Sequence, residues 1–217
     1  MIKNLVELTK VRIGFLVLTT TIIGFYLGSQ GSFSSSLLMY TILGTLFSST
    51  GGSILNNVIE IDSDKNMERT KKRVLPTKKI SFKFALFLGL AFAITGLFIL
   101  YFKVNTLTAT LSFLTIALYL FVYTPLKRVS WINTSIGAIP GAIPPLGGWT
   151  AATNSLDLGG IALFLILFFW QHPHFYAIAF MYKDDYANAG LKMLPVVENG
   201  AKRTVIHIFL HALILIP

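Results

Sequence analysis

An all-α bundle of membrane-spanning helices is the fold class this sequence predicts, and three observations predict it. The hydrophobic fraction is 54%, the mean hydropathy is +0.69, and only 12% of residues are charged. Apolar runs recur at lengths near the roughly 20 residues that carry a helix across the hydrocarbon core. Of the 18 lysines and arginines, all but Lys103 fall before the first run or after even-numbered runs. A polytopic protein held in the lipid bilayer accounts for all three. A soluble one- or two-domain organisation, which the length alone would allow, does not.

The elements follow in order. Residues 13–28 form the first expected span, and residues 31–36 a short loop of small residues. Residues 37–59 form the second span, where Gly44, Gly51 and Gly52 permit close helix contact. Residues 60–81 are a charged loop. Residues 82–102 and 107–123 are the third and fourth spans, joined by a tight turn at residues 103–106. A basic loop at residues 125–130 leads to residues 131–152. There, Pro140, Pro144 and Pro145 among glycines predict a kinked or broken fifth span, tolerated where neighbours satisfy the backbone. After a polar loop at residues 153–159, residues 160–182 form the sixth span, with Pro173 inside it. Residues 183–203 are a third charged loop, and residues 204–217 begin a seventh span. About 14 residues give roughly 21 Å of helix, short of the roughly 30 Å core, so the expectation is one domain over residues 1–217, incomplete at its C-terminus.

The cationic bias sets an expected orientation, with the N-terminus and the even-numbered loops on the cytoplasmic side. Both acid-bearing loops then share one face and can meet. The net charge of +9 would suggest nucleic acid in a soluble chain; here topology explains it, and no nucleic-acid partner is expected. The absence of cysteine excludes disulfides and thiolate metal sites. The first apolar run lacks a small-residue cleavage site, so it reads as a retained span of a bacterial-type plasma membrane.

Chemistry concentrates in NNVIEIDSDKNMERTKKR at residues 56–73. Asn56, Glu60 and Asp64 are spaced by four and share a helix face, while Asp62 points elsewhere. Carboxylate and amide oxygens suit Mg²⁺, which is commonly completed by substrate phosphates. Arg69 and Arg73, also four apart, can hold phosphate oxygens. The same spacing also suits solvated pairs within the loop. After the sixth span comes YKDDY at residues 182–186, a weaker acidic cluster that also reads as a helix-end charge group. His172 and His174 flank Pro173 and lie about 200° apart on a helix, so one metal is not easily shared. A packed, hydrogen-bonded histidine at a kink and a tetrapyrrole-facing role both remain open there.

The residues carry a resemblance. NNVIEIDSDKNMERTKKRVLP resembles the first acidic signature of the UbiA-type intramembrane prenyltransferases. WQHPHFYAIAF followed by DDYANAGLKMLPVV is similar to the haem O synthase (protoheme IX farnesyltransferase) branch of that superfamily, as are IGAIPGAIPPLGGWTA and LTKVRIGFLVL. The matching stretches cover residues 10–197. Glu60 departs from the more usual aspartate and Ser63 from an aliphatic. The family has nine transmembrane helices, against six and part of a seventh here.

The resemblance implies a UbiA-type fold and transfer of a farnesyl group from farnesyl diphosphate to haem B. It implies Asn56, Glu60, Asp64 and Asp185 as the set that holds Mg²⁺. Asp64, Asp185 and His174 would be the catalytic groups. Arg69, Lys72, Arg73, His172 and Lys183 would be the substrate-binding ones. Downstream partners would be haem A synthase or terminal oxidase assembly. The competing expectations are a quinone-precursor prenyltransferase, a transporter or channel, and a fragment without activity of its own.

Overall fold

A computed structural model describes residues 2–31 and 34–216. Ser32 and Phe33 of the expected 31–36 loop, and Pro217 of the expected seventh span, lie outside the described residues. The order is α1 (Ile2–Leu8), α2 (Val11–Gly28), α3 (Ser35–Ile59), α4 (Ile61–Lys65), α5 (Phe82–Lys103) and α6 (Thr106–Ala117). A π-helical turn (Leu118–Tyr123) follows, then α7 (Thr124–Leu126), α8 (Asn133–Thr153), α9 (Leu158–Met181), α10 (Lys183–Asn188), α11 (Leu194–Val197) and α12 (Lys202–Leu213).

Among the described residues five helical segments are long and apolar enough to cross a membrane: α2, α3, α5, Thr106–Leu126 and α9. Large apolar side chains such as Phe15, Phe87 and Phe121 stand exposed on their outer faces, as expected where lipid is the solvent. Among the described residues every regular element is helical, which satisfies backbone groups within each segment. The chain is a multi-pass membrane protein.

Packing depends on small residues. A Cβ added to Gly51 of α3 would lie 2.3 Å from the backbone nitrogen of Ala93 on α5. One added to Gly24 of α2 would lie 1.9 Å from the Pro145 carbonyl oxygen on α8. Lipid gives apolar side chains little reason to associate, so close backbone approach supplies the contact.

The fifth span is not broken. α8 runs unbroken through Pro140, Pro144 and Pro145. Gln171 of α9 lies against Gly141 and donates to the Ala138 carbonyl at 3.2 Å, so a neighbour supplies polar contacts beside the segment where prolines remove donors. The charged loops are also more ordered than loops need be. α4 occupies residues 61–65, and α10 and α11 punctuate residues 183–203.

Candidate functional site

The charged loops meet at one end of the bundle. Asp185 accepts the backbone N–H groups of Glu68 and Arg69, both at 3.1 Å. The Arg69 guanidinium lies 4.7 Å from the Tyr182 ring centroid and donates to the Tyr186 hydroxyl. The Lys192 N–H donates to the Lys127 carbonyl at 2.7 Å, which ties the later loop to the end of α7.

Beneath this junction the end of α3, the Glu60 break and α4 together deliver a polar face. Asn56 Oδ1 accepts from Lys10 Nζ and from the Tyr119 hydroxyl, both at 3.0 Å. Its Nδ2 donates to Thr124 Oγ1 at 3.0 Å. Glu60 Oε1 accepts from Lys127 Nζ at 2.6 Å. Both oxygens of Asp64 accept from Arg73 Nη1, at 3.0 and 2.9 Å. Every member of the predicted i, i+4 series is thus matched to a cation. Three cations against two carboxylates leave the cluster positive.

The electrostatics follow from burial. Burial alone would raise the Glu60 carboxyl, but Lys127, Lys10 and Arg73 together hold it below its ordinary value. Desolvation pushes Lys10 down to about 8, with Arg73 and Lys127 adding repulsion and Glu60 opposing. Burial also disfavours the charge on Lys127, yet Tyr123, Glu60 and Tyr119 hold it above the usual lysine range. Lys10 sits at φ 50°, in the left-handed region. A long side chain there carries strain of order 1–3 kcal/mol, offset by the contacts that fix it between α1 and α2.

Sequence reasoning missed several members. Lys10 and Lys127 read only as topology markers. Tyr119, Tyr123 and Lys127 are four apart, a series visible in the sequence. The π turn carries the two rings into a stack with centroids 5.7 Å apart, and Lys127 Nζ lies 4.4 Å from the Tyr123 centroid. Such turns are frequent at functional sites. Asn57, beside Asn56 in the doublet, is buried. Its Nδ2 donates to the Leu8 carbonyl, and its Oδ1 has no partner among the described residues. It faces a small cavity of about 30 Å³, shared with Glu7, Lys10, Asp64 and Arg73.

The remaining predicted residues fall elsewhere. Lys72 is exposed and Lys183 half-buried, and neither forms an ion pair among the described residues. Asp62 is exposed and pairs with Lys65 at 2.9 Å. His172 is buried with both ring nitrogens engaged, at the Phe168 carbonyl and at Ser135 Oγ. His174 is exposed and stacks on Trp170.

The donor set fits a hard dication in kind. It is oxygen only, with an unclaimed buried amide oxygen at Asn57 beside Asp64. Arg73 and Lys127 now neutralise the carboxylates. Among the described residues no three His, Asp or Glu groups converge on one ion position. A cation and an anionic ligand arriving together would exchange these pairs, metal for cation and phosphate for carboxylate.

A second cavity, of about 60 Å³, lies deeper between α2, α3, α5, α6 and α8, walled by residues including Val17, Ser48, Leu100, Ile116 and Ile143.

Comparison with known proteins agrees with this architecture. The UbiA prenyltransferase family profile matches residues 17–217. A protoheme IX farnesyltransferase of Solibacter usitatus is 43% identical over 99% of this chain and 77% of its own length. The same-named protein of Aquifex aeolicus is 43% identical over 91% of this chain and 68% of its own. Among solved structures, a digeranylgeranylglyceryl phosphate synthase superposes with a TM-score of 0.80 at 17% identity, over 99% of this chain and 74% of that one. A UbiA homologue from Archaeoglobus fulgidus, bound to DMAPP and Mg²⁺, gives 0.79 at 17% identity over 98% and 75%. At such identity these structures speak to the fold, whereas the family match and the 43% relatives speak to descent, and the chain belongs to the UbiA prenyltransferase family.

Proposed function

We propose that this protein transfers the farnesyl group of farnesyl diphosphate to the 2-vinyl group of haem B, giving haem O and diphosphate. The observation that carries the reading is the 43% identity to protoheme IX farnesyltransferases across nearly the whole chain. The paired acids and cations at the loop junction supply the chemistry it requires.

In this reading Asn56, Glu60, Asp64 and Asp185 hold Mg²⁺, joined by the open oxygen of Asn57. Bound there, the ion supplies charge neutralisation to a departing diphosphate. Arg73, released from Asp64, and Lys127, released from Glu60, turn to the diphosphate oxygens, with Arg69 and Lys72 at the rim and Lys183 beside them. Positive groups placed where negative charge develops lower the barrier to departure. The carbon–oxygen bond breaks and its electron pair leaves with diphosphate. The vinyl π pair of haem B forms the new carbon–carbon bond. Water adds to the resulting cation and gives up a proton, leaving a hydroxyethylfarnesyl group. The stacked Tyr119 and Tyr123 faces border this region and favour a nearby cation. The apolar bundle excludes bulk water from the allylic cation until it is captured.

The farnesyl tail lies in the deeper cavity, and His174 and His172 belong to the haem side. The membrane is a bacterial inner membrane with the charged loops cytoplasmic. The product passes to haem A synthase or terminal oxidase assembly. The test is turnover by the reconstituted chain with haem B, farnesyl diphosphate and Mg²⁺, read by product mass. A farnesylated, hydrated haem is expected. Haem B left unmodified, while an aromatic quinone precursor supplied beside it is prenylated, would overturn the assignment.

A further inference from the structure

Away from the charged mouth, α9 and α12 face each other across a group of imidazoles. The His172 and His211 rings stack with centroids 4.1 Å apart and planes 12° apart. His207 follows on α12, 5.8 Å from His211 and 5.5 Å from the Tyr176 ring. His172 lies nine residues from Met181 and His211 nine from Lys202, so both sit about 13.5 Å from the charged ends of their helices. Ionisable side chains at that depth are costly and mark function by default.

Hydrogen bonds separate the roles of the rings. His172 has both nitrogens engaged, with Nδ1 at the Phe168 carbonyl and Nε2 at Ser135 Oγ. His211 Nδ1–H donates to the His207 carbonyl at 2.7 Å. That bond fixes the tautomer and leaves the lone pair on Nε2, which has no partner among the described residues. Metal-ligating histidines are held in this way. Tyr176 is 1% exposed in the same seam, and its hydroxyl is also without a partner among the described residues. Ser135 is the polar side chain beside it, and its hydroxyl already serves His172.

The cluster is not built for a bare ion, because among the described residues no three such groups converge. One imidazole with an open lone pair is enough for an iron whose equatorial positions a macrocycle already fills. We propose that His211 Nε2 is the axial ligand that docks the iron of the porphyrin substrate. His172 is a positioning residue whose stacked ring fixes the plane of His211. The inference rests on the proposed haem substrate and names the residue that engages its metal.

The experiment titrates the full reconstituted chain with ferric haem B and reads optical and electron paramagnetic resonance spectra. The unsubstituted chain is expected to give a histidine-ligated spectrum. His211→Ala should lose that signature and bind at least about tenfold more weakly, with both restored by added imidazole. His207→Ala, which retains the backbone carbonyl that accepts from His211, should keep the signature. Metal-free protoporphyrin IX should bind the unsubstituted chain and His211→Ala equally, which a merely structural role would not give. An unchanged spectrum in His211→Ala would overturn the ligand assignment and leave the haem reading standing. Lost protoporphyrin binding without imidazole rescue would overturn it as a folding effect. No haem binding by the unsubstituted chain would remove both.

Discussion

The carboxylate of Asp185 accepts the backbone N–H of Arg69 at 3.1 Å, across 116 positions of the chain. With the matching bond from Glu68, one side chain closes one charged loop on the other. Hydrogen bonds to a charged acceptor are worth about 1.5–3 kcal/mol each. Asp185→Ala should therefore raise amide exchange at Glu68 and Arg69 by at least about tenfold, with spans α3 and α5 unchanged. Exchange rates by mass spectrometry check this, and unaltered protection would show that the loops close without Asp185.

Asp64 is nearly buried, and Arg73 Nη1 contacts both of its oxygens. Asp64→Ala should abolish Mg²⁺-dependent diphosphate release while leaving membrane insertion intact. Arg73→Ala should weaken farnesyl diphosphate binding more than haem binding. Release assays and separate titrations of the two ligands decide both. Retained release in the first variant would remove Asp64 from the metal set, and equal loss of both ligands in the second would remove Arg73 from the diphosphate site.

The span order was legible because apolar runs and the cationic bias act locally and independently. The meeting of the two loops was legible as well, since both fall on one side of the bundle. What could not be read was pairing across the fold. Lys10 meets Asn56 across 46 positions, and Lys127 meets Glu60 across 67. Nothing in either local sequence separates a topology-setting lysine from a site lysine. The unbroken α8 was hidden for a similar reason, because Gln171, which donates to Ala138 beside the prolines, belongs to another span. Asn57 escaped because the i, i+4 rule favoured Asn56, whose oxygen the fold assigns to Lys10 and Tyr119.

The Lys127–Glu60 pair is largely, not fully, buried, each side chain 14% exposed. Removing one partner of such a pair costs about 3–5 kcal/mol, because the other charge is left uncompensated. Lys127→Met should therefore lower the apparent Tm of the solubilised protein strongly. Adding Glu60→Gln should recover most of the loss. Thermal unfolding of the two variants checks this, and additive losses in the double variant would show that the pair is not coupled.

Glu60 also sets an acid limit on stability. Its folded-state value lies below the ordinary 4.5, because Lys127, Lys10 and Arg73 outweigh the effect of burial. The unfolded chain takes up the proton first as pH falls. Stability from Glu60 is thus fully present above about 4.5 and is lost as pH drops through the lower folded value. In metal-free buffer the unfolding temperature should decline over that window, and Glu60→Gln should flatten the decline. An equal slope in the variant would assign the acid limit to other groups.

The deeper cavity gives a prediction for chain length. Ser48 lines it and lies twelve residues before Glu60 on a nearly continuous helical path, so the cavity sits about 18 Å below the acids. A prenyl tail anchored by its diphosphate at the mouth points its far end there. Leu100→Ala should widen the floor, where Leu100 packs on Gly44, and raise the preference for geranylgeranyl over farnesyl diphosphate. Ser112→Phe should fill the space and shift preference toward geranyl diphosphate. Hydrophobic pockets discriminate by about 10- to 200-fold at most per methylene-sized change, so the shifts should lie within that range. Competition assays with the three diphosphates measure the ratios directly. Unchanged ratios in both variants would place the tail outside this cavity, along another face of the bundle.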